Sequence, residues 1–220
     1  MKPFSEPDDP RRRLVIQALA AGFFAAGLPR GSAHAAPAKS IFRVIGSVTV
    51  NDLPPATDTF IGPNTKVRTA KNSELIAILD KIAILLRADS ELVVGDNVSH
   101  LRLIKGSLLA VAAPGVYGIE TSIATIVQRG RDDKVGVGFY VESYEKLTYF
   151  CTCYGVSEIS VNDDPATKLA VVAQHHDRPV NIYRDPTRKQ RIEDARFKNH
   201  TDEELKLNGE LIGHLPPFLR

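Results

Sequence analysis

GVGFYVESYEKLTYFCTCYGVSEISV, residues 136–161, is the stretch on which the reading of this chain turns. Aromatic and β-branched residues fill three runs: Val137 to Ser143, Leu147 to Cys153 and Val156 to Val161. Tyr144-Glu145-Lys146 and Gly155 separate them. That composition, punctuated in that way, predicts three antiparallel strands joined by short turns. Both cysteines of the protein fall in the middle run, as Cys151-Thr152-Cys153. Side chains alternate along a strand, so the two thiols share a face with Tyr149, while Phe150, Thr152 and Tyr154 take the other.

Outward from this stretch the same period of two recurs. Upstream stand FRVIGSVTV, KVRT, ELIAILD, KIAILLRA, ELVVG, HLRLIKG, SLLAVAA, YGIET and IATIVQRG, spaced every 8–12 residues. Asn-Asp, Pro-Asn, Lys-Asn, Asp-Ser, Lys-Gly and Pro-Gly dipeptides divide them. Such spacing predicts an all-β sandwich, barrel or roll. Residues 74–88 admit two readings, one amphipathic helix or two strands split at Asp80-Lys81, and the turn dipeptide favours strands. Downstream, residues 167–174 and 178–183 read as two further strands flanking His175-His176-Asp177. Residues 185–196 are charged and read as a solvated loop or loose helix. Thr201-Asp202-Glu203-Glu204 is a capping box with three acids at the positive end of the helix dipole. The helix should run to about residue 212, where Gly213 closes it and Pro216-Pro217 prevent continuation. Leu205 and Ile212 should pack on the β body, with Leu207 and Leu211 nearby.

The chain has 220 residues, is 43% apolar and carries a net charge of +2. Residues 1–35 hold five Lys/Arg and three Asp/Glu, so the rest of the chain is neutral. A neutral body lacks the basic patch that phosphate binding requires, which argues against nucleic acid as a partner. No uninterrupted apolar run of about 18 residues marks a membrane span.

Residues 1–35 read as an export signal. Arg11, Arg12 and Arg13 precede a weakly apolar segment, Ala18 to Leu28, and Ala33-His34-Ala35 offers small residues for cleavage between Ala35 and Ala36. The Arg11-Arg12 pair resembles a bacterial twin-arginine leader, although Pro10 and Leu14-Val15 depart from its commonest form. The expected location is the periplasm, with membrane contact only during export. The alternative is an uncleaved leader anchoring the protein to the inner membrane.

The order of motifs between Ile41 and Val161 resembles the FecR domain, a periplasmic β module of bacterial cell-surface signalling proteins. The resemblance is carried by Gly46-Ser47-Val48, then Gly62 with Val67-Arg68-Thr69 before Asn72-Ser73. It continues through Leu92-Val93-Val94, Leu103-Ile104-Lys105-Gly106-Ser107-Leu108 and Ile119-Glu120-Thr121 to Ala124. Arg129-Gly130 and Gly138-Phe139-Tyr140-Val141 complete it. Ser122 stands where the family has proline, and Arg131-Asp132-Asp133-Lys134 interrupts the usual Arg-Gly-Thr passage. The resemblance implies a stand-alone exported domain. FecR-type regulators carry a sigma-factor-binding segment ahead of a membrane helix and a transporter-contacting C-terminal domain. Ten residues before the arginines and fewer than sixty after Val161 leave no counterpart, so only the β module is expected to transfer.

Candidate chemistry centres on the cysteine pair. Thiols two residues apart on a strand have Cα atoms about 6.5–7 Å apart, at the upper limit for a disulfide. A soft ion such as Zn²⁺ or Cu⁺ could instead bridge Cys151 and Cys153, with His175, His176 or His200 as further donors. Only one of His175 and His176 could join unless the strand ends there. Buried or oxidised cysteines beside a surface histidine pair are the plain alternative, and a redox role lacks the helix N-terminus that lowers a thiol pKa. No Gly-x-Ser-x-Gly elbow supports serine hydrolysis, and Gly136-Val137-Gly138 lacks the third glycine of a nucleotide loop. Asp132-Asp133 and Asp163-Asp164 read as solvated turns, the latter short of the oxygens a Ca²⁺ site needs. Arg129 and Arg131, close to a turn, are candidates for holding a carboxylate ligand.

The expected organisation is a signal peptide over 1–35, a FecR-like β domain over 36–164, and an extension over 165–220 with two strands and a capping helix over about 202–212. The leading expectation is a non-enzymatic binding or sensory module for an envelope protein or small ligand. The alternatives are a metal-binding or redox protein using the Cys-x-Cys pair, and a structural envelope scaffold.

Overall fold

The structure, a computed structural model, describes residues 40–219. The expected leader and the cleavage point at Ala35 and Ala36 lie outside them. Strands numbered in chain order build two sheets that share their two longest strands. The first sheet runs β1 (Ile41–Ile45), β4 (Glu74–Leu79), β5 (Ile82–Leu86), β7 (His100–Ala112), β10 (Val137–Ser143), β11 (Leu147–Val161), β13 (Val180–Tyr183), β14 (Ile192–Asp194). The second runs β2 (Val48–Val50), β3 (Lys66–Thr69), β6 (Glu91–Val94), β7, β8 (Val116–Glu120), β9 (Ala124–Arg129), β11, β12 (Asp164–Ala173). Pairing is antiparallel throughout except between β7 and β8. The all-β expectation holds, and residues 74–88 form the hairpin β4–β5, with Asp80 at φ 54° in its turn.

Two expected turns are instead bends inside long strands. Gly155 does not separate two strands, because β11 continues through it from the first sheet into the second. Its φ is +109°, and a Cβ there would lie 2.9 Å from the Arg129 carbonyl oxygen, so only glycine fits the corner. Lys105-Gly106 likewise bends β7, with Gly106 at φ +87° against Ser90. Glycine in a strand pattern reads as a stop, but here it redirects the strand to the facing layer.

Inward residues of both sheets fill the space between them. Leu75, Leu86, Leu108, Phe139, Phe150 and Ile182 of the first meet Val67, Leu92, Leu103, Ile126 and Ile159 of the second, all buried. The outer face of the first sheet is also apolar and buried: Ile76, Leu85, Leu109, Val111, Tyr140, Tyr149, Cys151, Cys153 and Tyr154. A sheet buried on both faces needs a third layer. The chain's end supplies it. Residues 195–219 cross this outer face and include helix α1 (Asp202–Leu211) and a short 3-10 turn (Pro217–Leu219).

The capping box at Thr201 forms as expected: Thr201 Oγ1 accepts from the Glu204 amide, and the Glu204 carboxylate accepts from the Thr201 amide. Leu205 is fully buried, and Leu207, Leu211 and Ile212 pack around it. The charged residues 185–196 are not simply a loop. They contain β14, which pairs with β13 and is braced by Arg178–Asp194 and Arg188–Glu193 ion pairs. No helix among the described residues is long and apolar enough to cross a membrane.

Candidate metal centre

The outer face of the first sheet carries the two cysteines, and a β-bulge sets them there. Opposite β11, Gly138 pairs with Tyr154 and Phe139 with Thr152, so Cys153 is the extra residue. Cys151, Cys153 and Tyr149 share the outer face, as the alternation predicts. Tyr154 does not join Phe150 and Thr152 on the inner side, because the bulge resets the alternation and turns its ring over Gly138. Both thiols are fully buried and neither forms a disulfide.

Two histidines close over them. β12 ends at Ala173, and the chain then turns through His176 at φ 55°. The end of the strand frees His176 from strict alternation and brings its Nδ1 to 3.5 Å from Cys151 Sγ. His200 is the residue before the helix cap, and its Nε2 lies 3.4 Å from Cys153 Sγ and 3.2 Å from His176 Nδ1. All four donor atoms fall within 4.8 Å of one another.

The outer partners of the imidazoles decide which nitrogen faces inward. His200 Nδ1 is 2.7 Å from the Lys198 carbonyl oxygen, which can only accept, so that nitrogen carries the proton and Nε2 presents a lone pair. His176 Nε2 is 3.1 Å from the Asp202 carboxylate, so it donates there, and the neutral imidazole turns its Nδ1 lone pair to the cysteines. Carbonyl and carboxylate partners of this kind orient histidine ligands of metals. His176 Nδ1 and His200 Nε2 thus face each other at 3.2 Å beside two buried sulfurs, an arrangement that either a shared proton or a bound cation satisfies.

The dimensions suit Zn²⁺. A tetrahedron with Zn–S of about 2.3 Å and Zn–N of about 2.05 Å has S···N edges of about 3.6 Å and N···N edges of about 3.3 Å. Three of the six edges can be compared, two S···N at 3.5 and 3.4 Å and the N···N at 3.2 Å, and all four atoms lie within 4.8 Å of one another.

Charge within the cluster is already polarised. The Cys151 thiol is drawn down to about 4, first by its hydrogen bond with Cys153 and then by His176 and His200, against the effect of burial. Burial, and then the charge on Cys151, push the Cys153 thiol up. Burial opposes the charging of His176, but Cys151 and Asp202 outweigh it and raise its pKa. A proton shared in this way neutralises one thiolate, whereas a divalent ion accommodates both.

A second set of contacts holds residues 196–204 in register with the site. Glu142 on β10, 1% exposed, accepts from Lys198 Nζ at 2.7 Å, Asn199 Nδ2 at 2.6 Å and Tyr140 Oη at 2.9 Å. Burial works against its charge, but these donors hold its carboxyl below the usual range. Arg87 on β5's exit binds the Glu204 carboxylate and the Asn199 carbonyl. Tyr149 Oη donates to the Arg196 carbonyl, and Tyr140 stacks on the His200 ring with centroids 4.5 Å apart. Sequence reasoning missed Glu142. Its one signal is an acid inside the otherwise uncharged run of Gly136 to Ser143.

The other candidates are dispersed. His175 stays outside the four donors. Its Nε2 meets Asp202 at 2.9 Å and its ring packs on Phe218, so it supports the outer partner of His176. Arg129 faces Glu158 at 3.9 Å on an exposed strand end. Arg131 lines a separate cleft of about 400 Å³ with Tyr154, Gln174, Pro217 and Phe218, so the two arginines do not converge. Asp163 is engaged by Arg191 at 2.8 Å.

No protein-family model matches the chain, and no curated protein matches it. Two solved structures that resemble it are both described as a "putative anti-sigma factor" from Parabacteroides distasonis. The TM-scores are 0.47 and 0.46, with 10% and 12% identity and 66% of this chain covered in each case. The chain spans 64% of the length of each.

Proposed function

We propose that the protein is an exported, non-enzymatic metal-binding module in which Cys151, Cys153, His176 and His200 hold one Zn²⁺. The observation that carries this reading is the agreement of three donor–donor distances, 3.5, 3.4 and 3.2 Å, with the edges of a Cys₂His₂ tetrahedron. Four protein ligands leave no coordination position for a substrate, which is the arrangement of structural zinc and supports a role outside catalysis. The leader read in residues 1–35 supports periplasmic residence. There, a bound ion also shields both thiolates from oxidation. Cu⁺ is the competing ion, since thiolates suit it as well. The test is elemental analysis of the full chain purified without chelator. One equivalent of zinc per chain is expected, falling below about a tenth in Cys151→Ala. Absence of stoichiometric metal from the unmodified protein sinks the proposal.

A second reading, favoured by the cleft beside Arg131 and by the FecR-like motif order, is recognition of an envelope protein or small ligand on the same scaffold. Mild cross-linking in periplasm should then capture one partner reproducibly and lose it in Arg131→Ala. A partner retained by Arg131→Ala would instead favour a scaffolding role through another face.

A further inference from the structure

We infer that metal occupancy controls whether residues 195–219 stay closed over the outer face of the first sheet, making this segment a metal-operated latch. The inference rests on the Cys₂His₂ reading above and concerns what the ion does once bound. The four donors come from three places: the rigid strand β11, the loop after β12 and the segment entering α1. Only His200 belongs to the closing segment, and Asp202, two residues on, fixes His176 from the same segment. Losing the ion therefore removes the central tie between segment and sheet and weakens a second.

The remaining apolar attachment rests mostly on partly buried side chains, Ala195, Leu207, Leu211, Ile212 and Phe218. Helix α1 has ten residues, shorter than a helix that persists alone in water, so it depends on docking. Its only fully buried apolar side chain is Leu205. Asn208, also buried there, has neither its Oδ1 nor its Nδ2 hydrogen-bonded, which disfavours the closed position. The polar ties through Glu142 and Arg87 reach residues 198–204 and none beyond them. Opening would uncover Tyr140, Tyr149 and Tyr154, which are at most 1% exposed in the closed form. It would also take Pro217 and Phe218 away from the cleft beside Arg131. One ion would thus govern an aromatic surface and a cleft wall together.

Amide hydrogen exchange on the full chain, zinc-loaded and then stripped with a chelator, tests this. The expected result is exchange at least fivefold faster in peptides covering 195–212 after stripping. Over exchange times too short for global unfolding, peptides from β6 and β9 in the second sheet should be unchanged, and added zinc should restore protection. If zinc binds stoichiometrically but exchange in 195–212 changes less than fivefold, the latch is overturned and the metal site stands. If all strands speed up together, the ion holds the whole fold and the latch is again overturned. If no zinc binds, the metal reading itself fails. His200→Gln gives an independent check, because three ligands remain on the sheet side. Exchange in 195–212 of that variant should be fast with or without zinc, and a wild-type response to zinc would overturn the inference.

Discussion

Stripping the ion should lower the melting temperature by an amount the structure bounds. The sandwich has its own core between the sheets, so it does not depend on metal to fold as a zinc finger does. The ion then acts as a ligand of the native state, stabilising by about 4 kcal/mol when free zinc is a thousandfold above its dissociation constant. For a domain of this size each kcal/mol moves the melting point by about 2–4 °C, giving about 8–16 °C between loaded and stripped protein. Differential scanning calorimetry at fixed free zinc reads this directly. Cys153→Ser, which removes one of two thiolate donors, should retain under about 3 °C of the zinc-dependent shift. His175→Ala is the control. It lies beside Asp202 but outside the four donors, so it should keep most of the shift. A melting point indifferent to zinc, or equal losses in Cys153→Ser and His175→Ala, would refute the assignment of the four ligands.

Four further outcomes follow from particular residues. Glu142→Gln should destabilise by about 1–3 kcal/mol in urea unfolding, since Lys198 and Asn199 lose a charged acceptor. The Glu142 carboxyl is held low in the fold, so its contribution is complete above the unfolded value of about 4.3 and is lost as pH falls through the folded one. The gap between wild type and Glu142→Gln should therefore close below about pH 4, and a constant gap would argue for steric loss alone. Gly155→Ala should cost about 2–4 kcal/mol, because a left-handed φ of +109° adds to contact with the Arg129 carbonyl. Gly213→Ala, at φ +69° with open space around it, should cost about 1 kcal/mol. In zinc-free protein, iodoacetamide should label Cys151 ahead of Cys153, given their opposite thiol shifts, while zinc-loaded protein should resist both. Peptide mass spectrometry gives the order, and prior labelling of Cys153 would contradict it.

Much of the fold was legible because each run states its own period. Asp80-Lys81 divides β4 from β5 through a turn dipeptide, and the capping box announces α1 from four residues. What could not be read is where a strand changes partner. Gly106 and Gly155 look like turn residues in a one-dimensional pattern, yet β7 and β11 pass through them from one sheet to the other, a choice made by the layers on either side. β14 was hidden because its pairing is supported by ion pairs rather than by apolar alternation. The site divides along the same line. Alternation placed Cys151 and Cys153 on one face, and chemistry named His175, His176 and His200 as candidate donors. The bulge at Cys153, the choice of His176 over His175, and the anchoring of Lys198 and Asn199 by Glu142 depend on contacts between residues 13 to 57 positions apart.

Several of those long-range contacts, with local ones beside them, fall on seven consecutive residues. From 198 to 204 the chain supplies the Lys198 carbonyl that fixes the tautomer of His200, the Lys198 and Asn199 donors for Glu142, and His200 itself. It then supplies the Thr201 cap, the Asp202 carboxylate behind His176 and the Glu204 acceptor for Arg87. No residue among these contributes a fully buried apolar side chain, so the segment is held by directional bonds that depend on one another's geometry. If the segment releases when the ion departs, as inferred above, the ties that share these residues with His200 weaken with it. On the latch inference, the two sheets supply the face against which the tail closes.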